Sequence, residues 1–230
     1  MPPKMSYSQL FEQAVLTLTR AGISHAKREA LWILESGLQV TQLDVLIRSR
    51  EFVNQDACHR TLELLARRAT REPLQYVLGT QDFCGREFVV KPGVLIPRPE
   101  TELVVEEVLP WVRAVPSPVL VDVGTGSGCL AISMAGATPD STVVGIDQSR
   151  AALHLAQINA DRHGVNHRIR WVNGDLLAPL LSMQTEGKVT AIVANLPYIS
   201  KAEWDRLPPD VKDFDQRPAL YGGPAGVGPY

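Results

Sequence analysis

Val119-Leu120-Val121-Asp122-Val123-Gly124-Thr125-Gly126-Ser127-Gly128 is the stretch that decides the fold. Its first five residues, rich in valine, read as a buried strand. The glycines at 124, 126 and 128 let the backbone turn tightly and come close to a ligand. Cys129 to Ala137 reads as the helix that follows. Working outward, Thr142 to Ile146 is a second strand ending in Asp147, and Ser149 caps a helix to about His163. Ile169 to Val172 is a third strand, ending near Asn173-Gly174-Asp175, and Val189 to Ala194 is a fourth. Strand and helix alternating at this spacing predict a parallel α/β sheet with right-handed crossovers, in the order 3-2-1-4.

Open sheets of this kind bind ligands beyond the carboxyl ends of their strands. Asp147 sits where such folds meet ribose hydroxyls. The dinucleotide fingerprint G-x-G-x-x-G fails because residue 129 is Cys. Gly128, with Asp122 just ahead of the turn, suits S-adenosylmethionine better. The fourth strand, read as buried on both faces, delivers Asn195-Leu196-Pro197-Tyr198. An Asn offers one acceptor oxygen and two amide protons, followed by carbonyls that Pro197 helps to fix. That equipment grips a planar NH2 group. Alone, Asn195 reads equally well as a turn cap. Glycine loop, Asp147, Asp175 and Asn195 at four successive strand ends make a set.

Upstream, Tyr7 to about Tyr76 reads helical. A first helix closes at Gly22, a second runs from Ser24 to Gly37, a third spans Thr41 to Arg48, and a fourth spans Asn54 to Arg71. Arg67, Arg68 and Arg71 read as a solvated face. Glu72 to Gly79 breaks the helix, and Phe83 to Val90 suggests a hairpin turning at Gly85. Val94-Leu95-Ile96-Pro97-Arg98-Pro99-Glu100-Thr101-Glu102 is held extended by its prolines and opens a helix to about Val112. Arg98, fixed between two prolines, either lines a site or pairs with Glu100 or Glu102.

The 230 residues are 45% hydrophobic and 21% charged, enough for a sizeable core, and the net charge of -2 leaves no electrostatic footprint for nucleic acid. Three cysteines without C-x-x-C spacing argue against a disulfide framework or a zinc site. Without an apolar run of membrane-spanning length or a signal-peptide core, the expected setting is the cytoplasm, with no membrane or metal partner.

The chain resembles the peptide chain release factor glutamine N5-methyltransferases. The resemblance rests on Glu72-Pro73-Leu74-Gln75-Tyr76, Leu95 to Glu102, the glycine loop, the Asn-x-Pro-Tyr strand end, and Arg217-Pro218-Ala219-Leu220-Tyr221-Gly222-Gly223. It implies a Rossmann-like methyltransferase domain preceded by a small all-α domain and a β-hairpin linker. The expected divisions are 1–80 for docking a class 1 release factor, 81–97 for the hairpin, and 98–230 for the transferase. Gly124, Thr125, Gly126, Ser127, Gly128, Asp147, Asp175, Leu176 and Asn195 would hold S-adenosylmethionine. Asn195, Pro197 and Tyr198 would be catalytic, and Arg98, Glu100, Asn195, Leu196, Pro197 and Tyr198 would meet the substrate glutamine.

Two departures stand out. The family pattern is Asn-Pro-Pro-Tyr, whereas Leu196 stands here. Asn-Leu-Pro-Tyr also resembles the rRNA adenine N6-dimethyltransferases, which gives a second reading as an adenine methyltransferase. The chain also looks shortened at its C-terminal end, which would leave the fourth strand as an apolar edge prone to self-association. A third reading follows from that, a binding protein without turnover.

Overall fold

The computed structural model describes residues 4–182, 189–207, 214 and 217–229; Met1-Pro2-Pro3 and Tyr230 lie outside them. The chain divides into two compact units, with the boundary between Leu78 and Gly79.

The first unit is helical: α1 (Tyr7–Arg20), α2 (Ala26–Leu38), α3 (Gln42–Ile47), α4 (Gln55–Ala69) and α5 (Leu74–Leu78). Ser6 and Gln9 form a reciprocal cap on α1, and Thr41 and Asp44 do the same for α3. Leu10, Leu18, Ala30, Ile33 and Leu34 form the core, on the faces where helical spacing puts them. Four expectations change here. His25, not Ser24, precedes α2, and its side chain makes no capping bond. Gly37 does not end α2; left-handed Gln39 does, and Gly37 lies against Thr61 of α4 with no room for a Cβ. The break at Glu72 to Gly79 contains a helical turn of its own, α5. Arg68 is buried, not solvated, with its Nε 2.6 Å from Glu29 Oε2 of α2 and its Nη1 donating to the Glu72 carbonyl. Within this small core an ion pair is held by several hydrogen bonds, as burial demands.

The second unit opens with a hairpin, β1 (Thr80–Phe83) and β2 (Arg86–Val89), which starts earlier than the sequence suggests. Both turn residues, Cys84 and Gly85, have positive φ, the backbone of a two-residue turn that matches strand twist. A 3-10 turn at Pro99–Thr101 leads into α6 (Glu102–Val112). Then follow β3 (Val119–Val123), α7 (Cys129–Ala137), β4 (Thr142–Asp147), α8 (Arg150–Arg162), β5 (Ile169–Asn173), α9 (Ala178–Ser182) and β6 (Val189–Ala194). The sheet is parallel, in the order β5-β4-β3-β6, as the spacing requires.

Alternation along the strands splits the core. Leu120, Val143, Ile169 and Val193 belong to a cluster with Phe83, Phe88, α6 and α7. Val121, Val123, Val144 and Ile146 pack on the other side with Leu196, Leu176 and Leu180. β6 is not buried on both faces: among the described residues it pairs only with β3, and Ile192 is 50% exposed. Its valines and isoleucine match a buried strand, but its position is the edge.

Candidate functional site

The loop after β3 is built from below. Gly124 and Thr125 both donate backbone N–H to the Ile146 carbonyl at 2.9 Å, tying the turn to β4. Beneath it, Asp122 Oδ2 accepts from Thr125 Oγ1 at 2.6 Å and from Ala131 N at 3.1 Å. Asp122 Oδ1 is buried without a hydrogen-bond partner among the described residues. Burial pushes this carboxyl up to about 6, against its two hydrogen bonds and with a smaller push from Asp147. Above the turn, Asp147 Oδ2 accepts from Gly126 N at 2.9 Å and Oδ1 from Ser149 N at 2.8 Å. Each oxygen keeps acceptor capacity for a ligand. Gly124 has φ +70°, and a Cβ there would come within 2.8 Å of Leu196 Cδ2. The positive φ is what calls for glycine; the Leu196 methyl could give way.

A cavity of about 500 Å³ lies beyond these strand ends. Its wall takes Gly93 to Leu95 from the segment after the hairpin, Gly124, Asp147 to Ser149, Gly174 to Leu176, and Asn195 to Pro197. A second cavity of about 190 Å³ is lined by Leu95, Arg98, Glu100, Thr101, Val104, Asn195 to Tyr198, Ala219 and Leu220. Leu95, Asn195, Leu196, Pro197 and Ala219 line both, and the run Asn195-Leu196-Pro197 forms a partition with a cavity on each side.

Asn195 is oriented. Its Nδ2 donates to the hydroxyl of buried Thr101 at 2.9 Å, which leaves Oδ1 as the free acceptor among the described residues. The chain then folds back on itself. Ile199 N donates to the Leu220 carbonyl at 2.9 Å, and Gly222 N donates to the Ile199 carbonyl at 3.0 Å. A Cβ on Gly222 would lie 2.5 Å from the Pro197 carbonyl oxygen. This glycine lets the returning chain lie against the partition.

The residues singled out from sequence therefore fall into three places. Gly124, Asp147, Asp175, Leu176, Asn195, Leu196 and Pro197 wall the larger cavity. Arg98, Glu100 and Tyr198 join the partition around the smaller one. Thr125 and Ser127 are buried beneath, with Gly126 and Gly128 forming the turn itself. The sequence marks none of Thr101, Val94, Leu95, Ala219 and Tyr221 as site residues, although each lies in a stretch that carries the resemblance or in its flank. Among the described residues, no helix is long and apolar enough to cross a membrane.

The fold is that of a Rossmann-like methyltransferase domain, the kind that uses S-adenosylmethionine. A methyltransferase-domain model matches residues 120–213, and a model of the PrmC N-terminal domain matches residues 9–79. A release factor glutamine methyltransferase from Geobacter sulfurreducens is 41% identical over 91% of this chain and 71% of its own length. Enzymes of the same name from Nitratidesulfovibrio vulgaris and Moorella thermoacetica are 39% and 40% identical. They are matched over 95% and 98% of this chain and 72% and 78% of their own lengths. The chain belongs to the release factor glutamine methyltransferase family.

Proposed function

We propose that the chain transfers a methyl group from S-adenosylmethionine to the side-chain amide nitrogen of a glutamine. The glutamine is that of the Gly-Gly-Gln loop of a class 1 release factor. The observation that carries this reading is the partition Asn195-Leu196-Pro197, with one cavity on either side. The larger cavity is of the size small-molecule sites have, and its residues fit the cofactor. Asp147 would accept from ribose hydroxyls, Asp175 and Leu176 would flank the adenine, and the turn Gly124 to Gly128 would let the backbone approach. Thr125 and Ser127 act by holding that turn.

When bound, the cofactor supplies a methyl group on a positively charged sulfur. The amide nitrogen of glutamine is a poor nucleophile because its lone pair is delocalised into the carbonyl. Asn195 Oδ1 accepts one of its N–H bonds and the Leu196 carbonyl the other, so that the nitrogen is turned toward the larger cavity. Thr101, by holding Nδ2, fixes which end of the Asn195 amide is presented. Pro197 and Tyr198 pack against the amide plane, and Arg98 and Glu100 receive the flanking backbone. No base is required beforehand: the nitrogen's proton becomes acidic only as the N–C bond forms at the expense of the sulfur–methyl bond, and it then leaves to solvent. Until then it is held by an oxygen.

In this reading residues 1–80 dock the release factor, 81–97 link, and 98–230 carry out the transfer, in the cytoplasm. Exposed Leu43, Leu46 and Ile47 on α3 support docking by the first unit. The test is transfer of labelled methyl to a purified release factor. Wild type should label one glutamine. Asn195→Ala should reduce turnover by about a hundredfold while S-adenosylhomocysteine still binds. Labelling of rRNA adenine instead of the factor would favour the second reading. Cofactor binding without any transfer would leave only the binding protein.

A further inference from the structure

Asn159 of α8 is wholly buried, and its side chain makes three hydrogen bonds. Its Oδ1 accepts from Val89 N at 2.8 Å, and its Nδ2 donates to the Val89 carbonyl at 3.1 Å and to the Ser127 carbonyl at 2.9 Å. The first two bonds satisfy the N–H and the carbonyl of Val89 on the open side of β2, where the Glu87 carbonyl meets His163 instead. The third does something else: it reaches the glycine loop. Val89 starts the segment that runs on to Gly93, Val94 and Leu95 in the wall of the larger cavity. Val94 is buried with Val89 against Ala152 and Leu155 of α8. Its Cγ1 stands 3.8 Å from where a Cβ of Gly126 would lie. The segments that lead into two walls of the cavity, one leaving the hairpin and one in the glycine loop, are thus tied together at a single amide.

We propose that Asn159 is a positioning residue that clamps the segment Val89 to Leu95 to the glycine loop and so sets affinity for the cofactor. The inference rests on the reading that the larger cavity takes S-adenosylmethionine. A purely structural asparagine would lower stability when removed and leave the affinity of the remaining folded protein unchanged. A clamp separates the two effects.

The experiment is calorimetric titration of the full chain with S-adenosylhomocysteine, for wild type, Asn159→Ala and Asn159→Asp. The measurements are made well below each protein's melting temperature. Steady-state rates with a purified release factor accompany them. Loss of the bond to Ser127 and of the pair to Val89 should weaken binding of S-adenosylhomocysteine by about tenfold or more. KM for the cofactor should rise in proportion, while kcat at saturating cofactor and KM for the release factor stay within about twofold. Asn159→Asp keeps the acceptor for Val89 N but sets a carboxylate against two carbonyls, so it should bind no better than Asn159→Ala. Hydrogen exchange on the wild type needs no variant. S-adenosylhomocysteine should slow exchange at Val89 and Val90, outside the cavity wall, together with the loop amides from 124 to 128. Equal affinity in wild type and a folded Asn159→Ala overturns the clamp, as does protection confined to residues 93–95. Failure of the wild type itself to bind S-adenosylhomocysteine overturns the underlying reading instead.

Discussion

Replacing Asp122 by asparagine tests the foundation of the site in isolation from its chemistry. The Asp122 carboxyl is buried under the glycine loop with one oxygen unpartnered among the described residues, and burial raises it from the ordinary 3.8 to about 6. A raised carboxyl favours the folded state while it is protonated. That contribution is complete below pH 3.8 and is lost as the pH climbs through 6. At roughly 1.4 kcal/mol for each pH unit, the loss is about 3 kcal/mol between mildly acidic and neutral conditions. The amide introduced by Asp122→Asn would carry no such charge. Its oxygen can accept from Ala131 N, as Asp122 Oδ2 does now at 3.1 Å. Urea unfolding of both proteins at steps from pH 4 to 7.5 reads the difference directly, since all other titrating groups are common to the pair. The stability of Asp122→Asn relative to wild type should rise by about 3 kcal/mol across that range, mostly between pH 4 and 6.5. A difference that stays flat with pH would falsify the assignment of a raised carboxyl under the loop.

Three further outcomes are expected. Thr101→Val, which removes the anchor of Asn195 Nδ2, should lower kcat by about tenfold with unchanged S-adenosylhomocysteine affinity, and Thr101→Ser should restore it in steady-state assays. Gly222→Ala places a methyl 2.5 Å from the Pro197 carbonyl oxygen and 2.6 Å from that of Gly226. Calorimetric melting should drop by several degrees, and turnover should fall with it, because the partition must shift. Leu196→Pro keeps the carbonyl that the proposed mechanism uses but removes a side chain packed against Val121 and Val123. It should keep or raise turnover while costing about 1–3 kcal/mol in urea unfolding.

The strands were legible because their apolar runs are short and bounded by turn chemistry, and Asp147 and Asn195 because they end such runs. Other features depend on distant neighbours. Gly37 looks like a helix terminator, yet it is Thr61, in another helix, that requires the glycine. Arg68 sits in a basic cluster, and only the fold brings Glu29 beside it. The strand order places β6 at the edge of the described sheet, as expected, but its apolar composition reads as burial on both faces, because composition does not report which strands flank it. Thr101 and Asn159 carry no signal of their own. Each becomes meaningful through partners far along the chain, Asn195 for the first, Val89 and Ser127 for the second.

The pairing of β3 with β6 has a consequence for the order in which the chain folds. Val119 lies opposite Val189, whereas β3 with β4 and β4 with β5 join stretches much closer in sequence. Loop closure makes distant pairings later and slower than local ones. The glycine loop and Asp147 can therefore assemble while Asn195 is still unplaced. A nascent chain would acquire a cofactor cradle before it had anything with which to present a glutamine, so its capacity to react with a release factor would arise in the closing step of folding.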